Sequence, residues 1–170
     1  MNNDTLVKRL NIEYDINTIN KELERIYPLF KEHNVNQLSV TNNGSDDLLG
    51  ANGRNEKGES LEKTFKFVNG FFKNSFTEQV LNDLDWNCGR VRYMLLGPKQ
   101  LLSIHSDEDD YRYHLAFKTT PWCFIMYPFF EKIFRIPKNG YVYKVNTKEF
   151  HTAINGTLDN DRIHLVINSF

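Results

Sequence analysis

Downstream of residue 90 the apolar positions fall into short runs, either alternating with polar residues or continuous. Eight such runs cover 90–96, 101–105, 111–117, 123–127, 132–136, 141–146, 151–154 and 162–168. Turn-forming residues separate them: Gly97-Pro98, Thr119-Thr120-Pro121, Pro137-Lys138-Asn139-Gly140 and Asn155-Gly156. Short strands at this regular spacing predict an all-antiparallel jelly roll or barrel.

The first 89 residues read differently. Ile19, Leu23, Ile26, Leu29 and Phe30 recur at helical spacing, which predicts a helix capped by Asn17 or Thr18 and running to Phe30, with Pro28 bending its last turn. Residues 37–41 form a short strand, and 77–84 a second helix capped by Thr77. The rest of this third is helical or irregular. Between them, residues 42–60 are polar and carry Gly44, Gly50, Gly53 and Gly58, the composition of a mobile surface loop able to act as a lid. The expected class is mainly β (α+β), one domain over 1–170. A helical part at 1–89 packs outside a β core at 90–170.

Composition narrows the possibilities. The chain is 40% hydrophobic and 14% aromatic with a net charge of −1 and no long basic run, which favours a packed globular domain and gives little support to nucleic acid as a partner. Cys88 and Cys123 have neither zinc-knuckle nor redox-pair spacing and read as reduced structural thiols. No apolar run approaches the about 20 residues of a membrane helix. Met1-Asn2-Asn3-Asp4 does not begin a signal peptide, so a cytoplasmic location is expected.

The chemistry-bearing residues lie in the β part. His105 and Asp107 are two apart, so on a strand both side chains face one way and can chelate one ion. His151, at a predicted strand end, can supply the third ligand. Two imidazoles and one carboxylate are the set that holds Fe(II) on one face and leaves the other positions open. Arg162, on the following strand, suits an anionic cosubstrate because its planar fork meets a carboxylate bidentately. Glu108, Asp109 and Asp110 read as a solvated loop, and His33 as a surface residue.

The ordered series Arg90-x-Arg92-Tyr93-Met94-Leu95, Gly97-Pro98, His105-x-Asp107, Arg112-x-His114-Leu115, His151-Thr152-Ala153-x-Asn155 and Arg162-x-His164-Leu165 resembles the aspartyl/asparaginyl β-hydroxylase-like branch of the Fe(II)/2-oxoglutarate-dependent dioxygenases. The resemblance covers roughly residues 90–170. It implies a double-stranded β-helix (jelly roll, cupin-like). It also implies iron on His105, Asp107 and His151, and 2-oxoglutarate with its far carboxylate on Arg162 and its other end near Arg112 and His114. Some members of the branch lack the acidic ligand; this chain keeps Asp107, which favours hydroxylation over halogenation.

The implied activity is hydroxylation of an amino-acid side chain, free or in a peptide, using dioxygen and releasing succinate. A cupin-like metal protein with other chemistry, or a non-catalytic binding module, is the competing reading. Several residues keep two readings. Arg112 is a cosubstrate contact or a surface strand residue, and His164 lines the pocket or packs in the core. Arg90 and Arg92 read an anionic substrate or pair with the acidic stretch at 107–110. Trp122 and Asn155 are further pocket candidates.

Overall fold

A computed structural model of the chain describes residues 3–50, 52–168 and 170. Ala51, inside the Gly-rich loop, and Met1 and Asn2, at the start, lie outside the described residues, as does Ser169.

The protein is mainly β, built from antiparallel pairs. All eight runs of the C-terminal part contain strand: β5 (Val91–Leu96), β6 (Gln100–Leu101), β7 (Tyr111–Lys118), β8 (Cys123–Tyr127), β9 (Lys132–Phe134), β10 (Tyr141–Asn146), β11 (Thr152–Asn155) and β12 (Arg162–Ile167). Ahead of them come α1 (Asn3–Leu6), β1 (Val7–Glu13), α2 (Ile16–Glu32), β2 (Gln37–Ser39), β3 (Thr41–Asn42), β4 (Phe67–Val68) and α3 (Phe76–Asp83). A six-stranded sheet runs β1-β10-β7-β12-β5-β2, a four-stranded sheet runs β6-β11-β8-β9, and β3 pairs with β4.

The alternation of side chains along each strand sorts the large sheet into two faces. Val91 and Tyr93, Leu115 and Phe117, and Ile163, Leu165 and Ile167 point to one side and pack with Ile19, Ile26 and Phe30 of α2 and Val80 and Leu81 of α3. The helices thus lie on the outside of the large sheet. Ala116, Tyr143 and Val145 point the other way, onto Ile125 and Tyr127 of the small sheet. Every residue of β12 is buried for this reason: it is a central strand covered on both faces. The positions left on its inner face are Arg162, His164 and Val166, and two of those three are strongly polar. No helix among the described residues is long and apolar enough to cross a membrane.

Four local expectations are corrected. Val7–Glu13 is a strand, not helical or irregular. It joins the edge of the large sheet by pairing with β10, 130 or so positions away, with a register break between Arg9 and Glu13. The consecutive exposed residues Lys8 and Arg9 within this edge strand interrupt the apolar-polar alternation, which leaves little pattern to read. Helix α2 is capped by Asp15, whose carboxylate accepts the Thr18 amide at 2.8 Å, and it continues past Pro28 to Glu32. The cap of α3 is Ser75 rather than Thr77, whose hydroxyl is buried against Glu22 and Tyr93. The 37–41 strand is two strands, β2 on the large sheet and β3 paired with β4.

Candidate metal centre

The three predicted ligands meet. One ligand atom each from His105, Asp107 and His151 lies within 4.8 Å of the others, a cluster that could hold a metal ion. Main-chain bonds fix it. His105 and His151 form an isolated antiparallel bridge, with His105 N donating to His151 O at 3.1 Å and His151 N donating to His105 O at 2.8 Å. Two residues on, Asp107 N donates to Thr147 O at 2.7 Å, and Thr147 N donates to Asp110 O at 3.1 Å. The segment carrying His105 and Asp107 is thereby fastened to the β10–β11 turn that carries His151.

Side-chain bonds then select the ligand atoms. His105 Nδ1 lies 2.7 Å from the Ser103 carbonyl, and His151 Nδ1 lies 2.9 Å from the Glu149 carbonyl. A carbonyl only accepts, so both Nδ1 atoms carry the proton and both Nε2 atoms keep a free lone pair. This is the outer-shell arrangement that orients metal-bound imidazoles. Asp107 Oδ1 is 3.2 Å from the Arg112 guanidinium, whereas its Oδ2 is buried and has no partner among the described residues. An orphaned carboxylate oxygen beside two free imidazole lone pairs fits a divalent cation. Burial pushes the His151 pKa down, which favours the neutral, ligating form.

Two cavities open on the cluster. An inner one of about 100 Å³ is lined by the three ligand residues together with Arg112, His114 and Arg162. Its walls include Met94, Leu102, Ile125, Val145, Ala153 and Val166. An outer one of about 530 Å³ shares Arg92, His105, Asp107 and Arg112 with it and adds Arg90, Glu62 and the loop residues Asn52, Gly53 and Arg54.

Arg162 is 4% exposed, and no acidic side chain among the described residues pairs with it. Burial lowers its pKa to about 10, so it stays charged at neutral pH. One Nη2–H donates to His164 Nδ1 at 3.1 Å. His164 therefore supports the arginine, and its other nitrogen, Nε2, is buried with no partner among the described residues. His114 packs edge-on to His164, with ring centroids 5.8 Å apart, and its Nδ1 is likewise unpartnered. Burial, then the neighbouring Arg162, pushes both imidazoles well below their ordinary pKa, so both are neutral.

The remaining candidates are placed as follows. Arg112 is buried, not a surface strand residue, and pairs with Asp107 and, at 3.5 Å, with Glu62. Arg90 and Arg92 do not pair with the acidic stretch. Their carboxylate is Glu62, at 2.9 and 3.7 Å. Trp122 is 66% exposed and lines neither cavity, because it sits in the turn leading into β8. Asn155 is fully buried and lines neither cavity. Its amide donates to the Leu96 and Asn160 carbonyls at 2.8 and 2.7 Å, so it bolts β11 to the end of β5.

Of the acidic stretch, Glu108 and Asp110 are exposed beside Arg54 and Lys148. Asp109 is not merely solvated: it accepts from the Asn168 amide at 2.7 Å. Cys88 and Cys123 are free thiols. His33 is exposed at the end of α2. Glu62 is the site residue that sequence reading missed. It lies in a polar stretch with no periodicity and nothing to mark one acidic residue above its neighbours. No protein-family model and no curated protein matches the chain.

Proposed function

We propose that this protein is an Fe(II)/2-oxoglutarate-dependent dioxygenase of the aspartyl/asparaginyl β-hydroxylase-like kind, its two facing sheets forming a double-stranded β-helix. The observation that carries the reading is the pairing, in one small cavity, of a three-ligand cluster with a buried guanidinium that has no counter-charge. A lone buried cation is expensive to keep unless something anionic arrives. A dicarboxylate that reaches from the metal to Arg162 answers both features.

His105 Nε2, His151 Nε2 and Asp107 Oδ2 would hold the iron. When bound, iron and 2-oxoglutarate supply the oxidation: dioxygen is consumed, 2-oxoglutarate becomes succinate and carbon dioxide, and a substrate C–H becomes C–OH. The chain's own residues do the rest. Arg162, steadied by His164, binds the far carboxylate and fixes the cosubstrate's direction. Arg112 holds Asp107 by one oxygen and so turns the other towards the cluster. His114, neutral and buried, offers a polar contact near the opposite end of the cosubstrate. Met94, Leu102, Ile125 and Val166 keep the inner cavity dry, which strengthens each charge pair inside it.

The test is sequential. Fe(II) and then 2-oxoglutarate are added without oxygen, and the weak visible charge-transfer band of the chelate is sought. Oxygen is then admitted with amino acids and peptides, and succinate is measured. Metal binding without the band, or without succinate from any substrate, would favour the cupin-like or non-catalytic alternative.

A further inference from the structure

Resting on the oxygenase reading, we propose that the outer cavity is a carboxylate-recognition site for the substrate, with Arg90 and Arg92 as its readers and Glu62 as a resident stand-in. Three guanidiniums converge on a single oxygen, Glu62 Oε1: Arg90 at 2.9 Å, Arg112 at 3.5 Å and Arg92 at 3.7 Å. The other oxygen, Oε2, accepts from the Asn168 amide at 2.9 Å.

One oxygen cannot satisfy so many donors. The Nε atoms of Arg90, Arg92 and Arg112 are all buried and have no partner among the described residues. Arg112 has a second carboxylate in Asp107, and Arg90 has the Gln37 side chain at 3.0 Å. Among the described residues Arg92, 7% exposed, has one ion pair, with Glu62, at a distance too long for a hydrogen bond. A planar anion entering the cavity of about 530 Å³ meets donors already turned inward and undersupplied. What the site holds now indicates what it takes: a carboxylate.

Glu62 arrives on the segment between β3 and β4, in a short turn at Glu62–Thr64 that belongs to neither large sheet. That segment packs directly on the ion pair. At Gly53 an added Cβ would run into Arg90 Nη1 and Glu62 Oε1, so a larger residue there would push on the ion pair itself. The other acidic groups lining the cavity have partners of their own: Asp107 on Arg112, Glu108 beside Arg54 and Asp109 on Asn168. A substrate carboxylate can take the place of Glu62, and displacing it shifts the loop that forms the outer wall.

The experiment uses metal-free full-length protein, so that its outcome does not depend on turnover. Melting temperatures of wild type, E62A, E62Q and E62A/R92Q are compared in sodium acetate, sodium phosphate and sodium chloride at matched ionic strength. All four retain Arg162, and Glu62 lines the outer cavity and not the inner one, so acetate rescue of E62A reports the outer site. E62A is expected to lose stability in chloride and to regain most of it in acetate, and E62A/R92Q to lose that rescue. Should E62A fail to fold, E62Q keeps the shape without the charge, and its half-maximal acetate concentration should be about tenfold below that of wild type.

A second arm loads the protein with Fe(II) and 2-oxoglutarate and offers matched pairs of an acid and its primary amide. Only the acids should couple to succinate, and R92Q should narrow the gap. Rescue that survives in E62A/R92Q, a larger effect of phosphate than of acetate, or amides used as well as acids would overturn the proposal. Acetate rescue with no succinate from any pair would sink the oxygenase reading and leave the carboxylate site standing.

Discussion

Replacing Arg162 by methionine separates a cosubstrate clamp from a structural arginine, because the two roles predict opposite changes in stability. A buried arginine paired with a carboxylate leaves an uncompensated charge when it is removed, at a cost of about 3–5 kcal/mol. In a chain of 170 residues that cost lowers the melting temperature by roughly 10 °C. Among the described residues no carboxylate pairs with Arg162. Its loss removes a desolvated charge and leaves only His164 Nδ1 without its donor, a cost of about 1 kcal/mol.

The melting temperature of metal-free Arg162→Met should therefore stay within about 3 °C of wild type or rise. Binding of 2-oxoglutarate should weaken by about 1.5–3 kcal/mol, the range of a hydrogen bond to a charged group, or about 10–150-fold in the dissociation constant. Calorimetric melting and anaerobic titration of the Fe(II) protein with 2-oxoglutarate measure the two quantities. A fall of roughly 10 °C with unchanged 2-oxoglutarate affinity would refute the reasoning.

Other outcomes follow from the same geometry. His105→Ala, Asp107→Ala and His151→Ala should each lose stoichiometric Fe(II) or Co(II) binding in equilibrium dialysis; a variant that still binds metal and makes succinate like wild type contradicts the ligand set. His114 and His164 are held neutral in the fold, with pKa values below the unfolded value of about 6.5, so the unfolded chain takes up more protons in acid. Their contribution is complete above about pH 6.5 and is lost as pH falls below it, so a melting temperature that stays flat between pH 7 and 5 would count against neutral burial. Asn155→Ala strips donors from the Leu96 and Asn160 carbonyls and should cost about 2–4 kcal/mol by denaturant titration, without changing metal affinity.

Legibility in the sequence followed the strength of local signals. The C-terminal strands were legible because Gly, Pro and Asn turns punctuate them, and the ligand residues because a His-x-Asp spacing is local. β1 was not, because its partner is Tyr141–Asn146, far along the chain, and its exposed edge dilutes the alternation. Asn155 resembled a pocket residue in its motif, yet its short amide is consumed by backbone carbonyls that only the fold brings near. Glu62 was invisible because its partners Arg90, just ahead of β5, Arg92 on β5 and Arg112 on β7 lie far from it in sequence, and no spacing rule links them.

The paired main-chain bonds between His105 and His151 bear on metal selectivity. The backbone holds these ligands on one side of a bound ion and leaves the rest of its coordination sphere open, so the three-residue set alone does not exclude other divalent ions. Preference among divalent ions then follows the general order of their affinities, in which copper and zinc outrank iron. On the oxygenase reading, protein purified from ordinary medium should therefore carry inert zinc in part. Its specific activity would then be set by the history of metal supply as much as by the polypeptide.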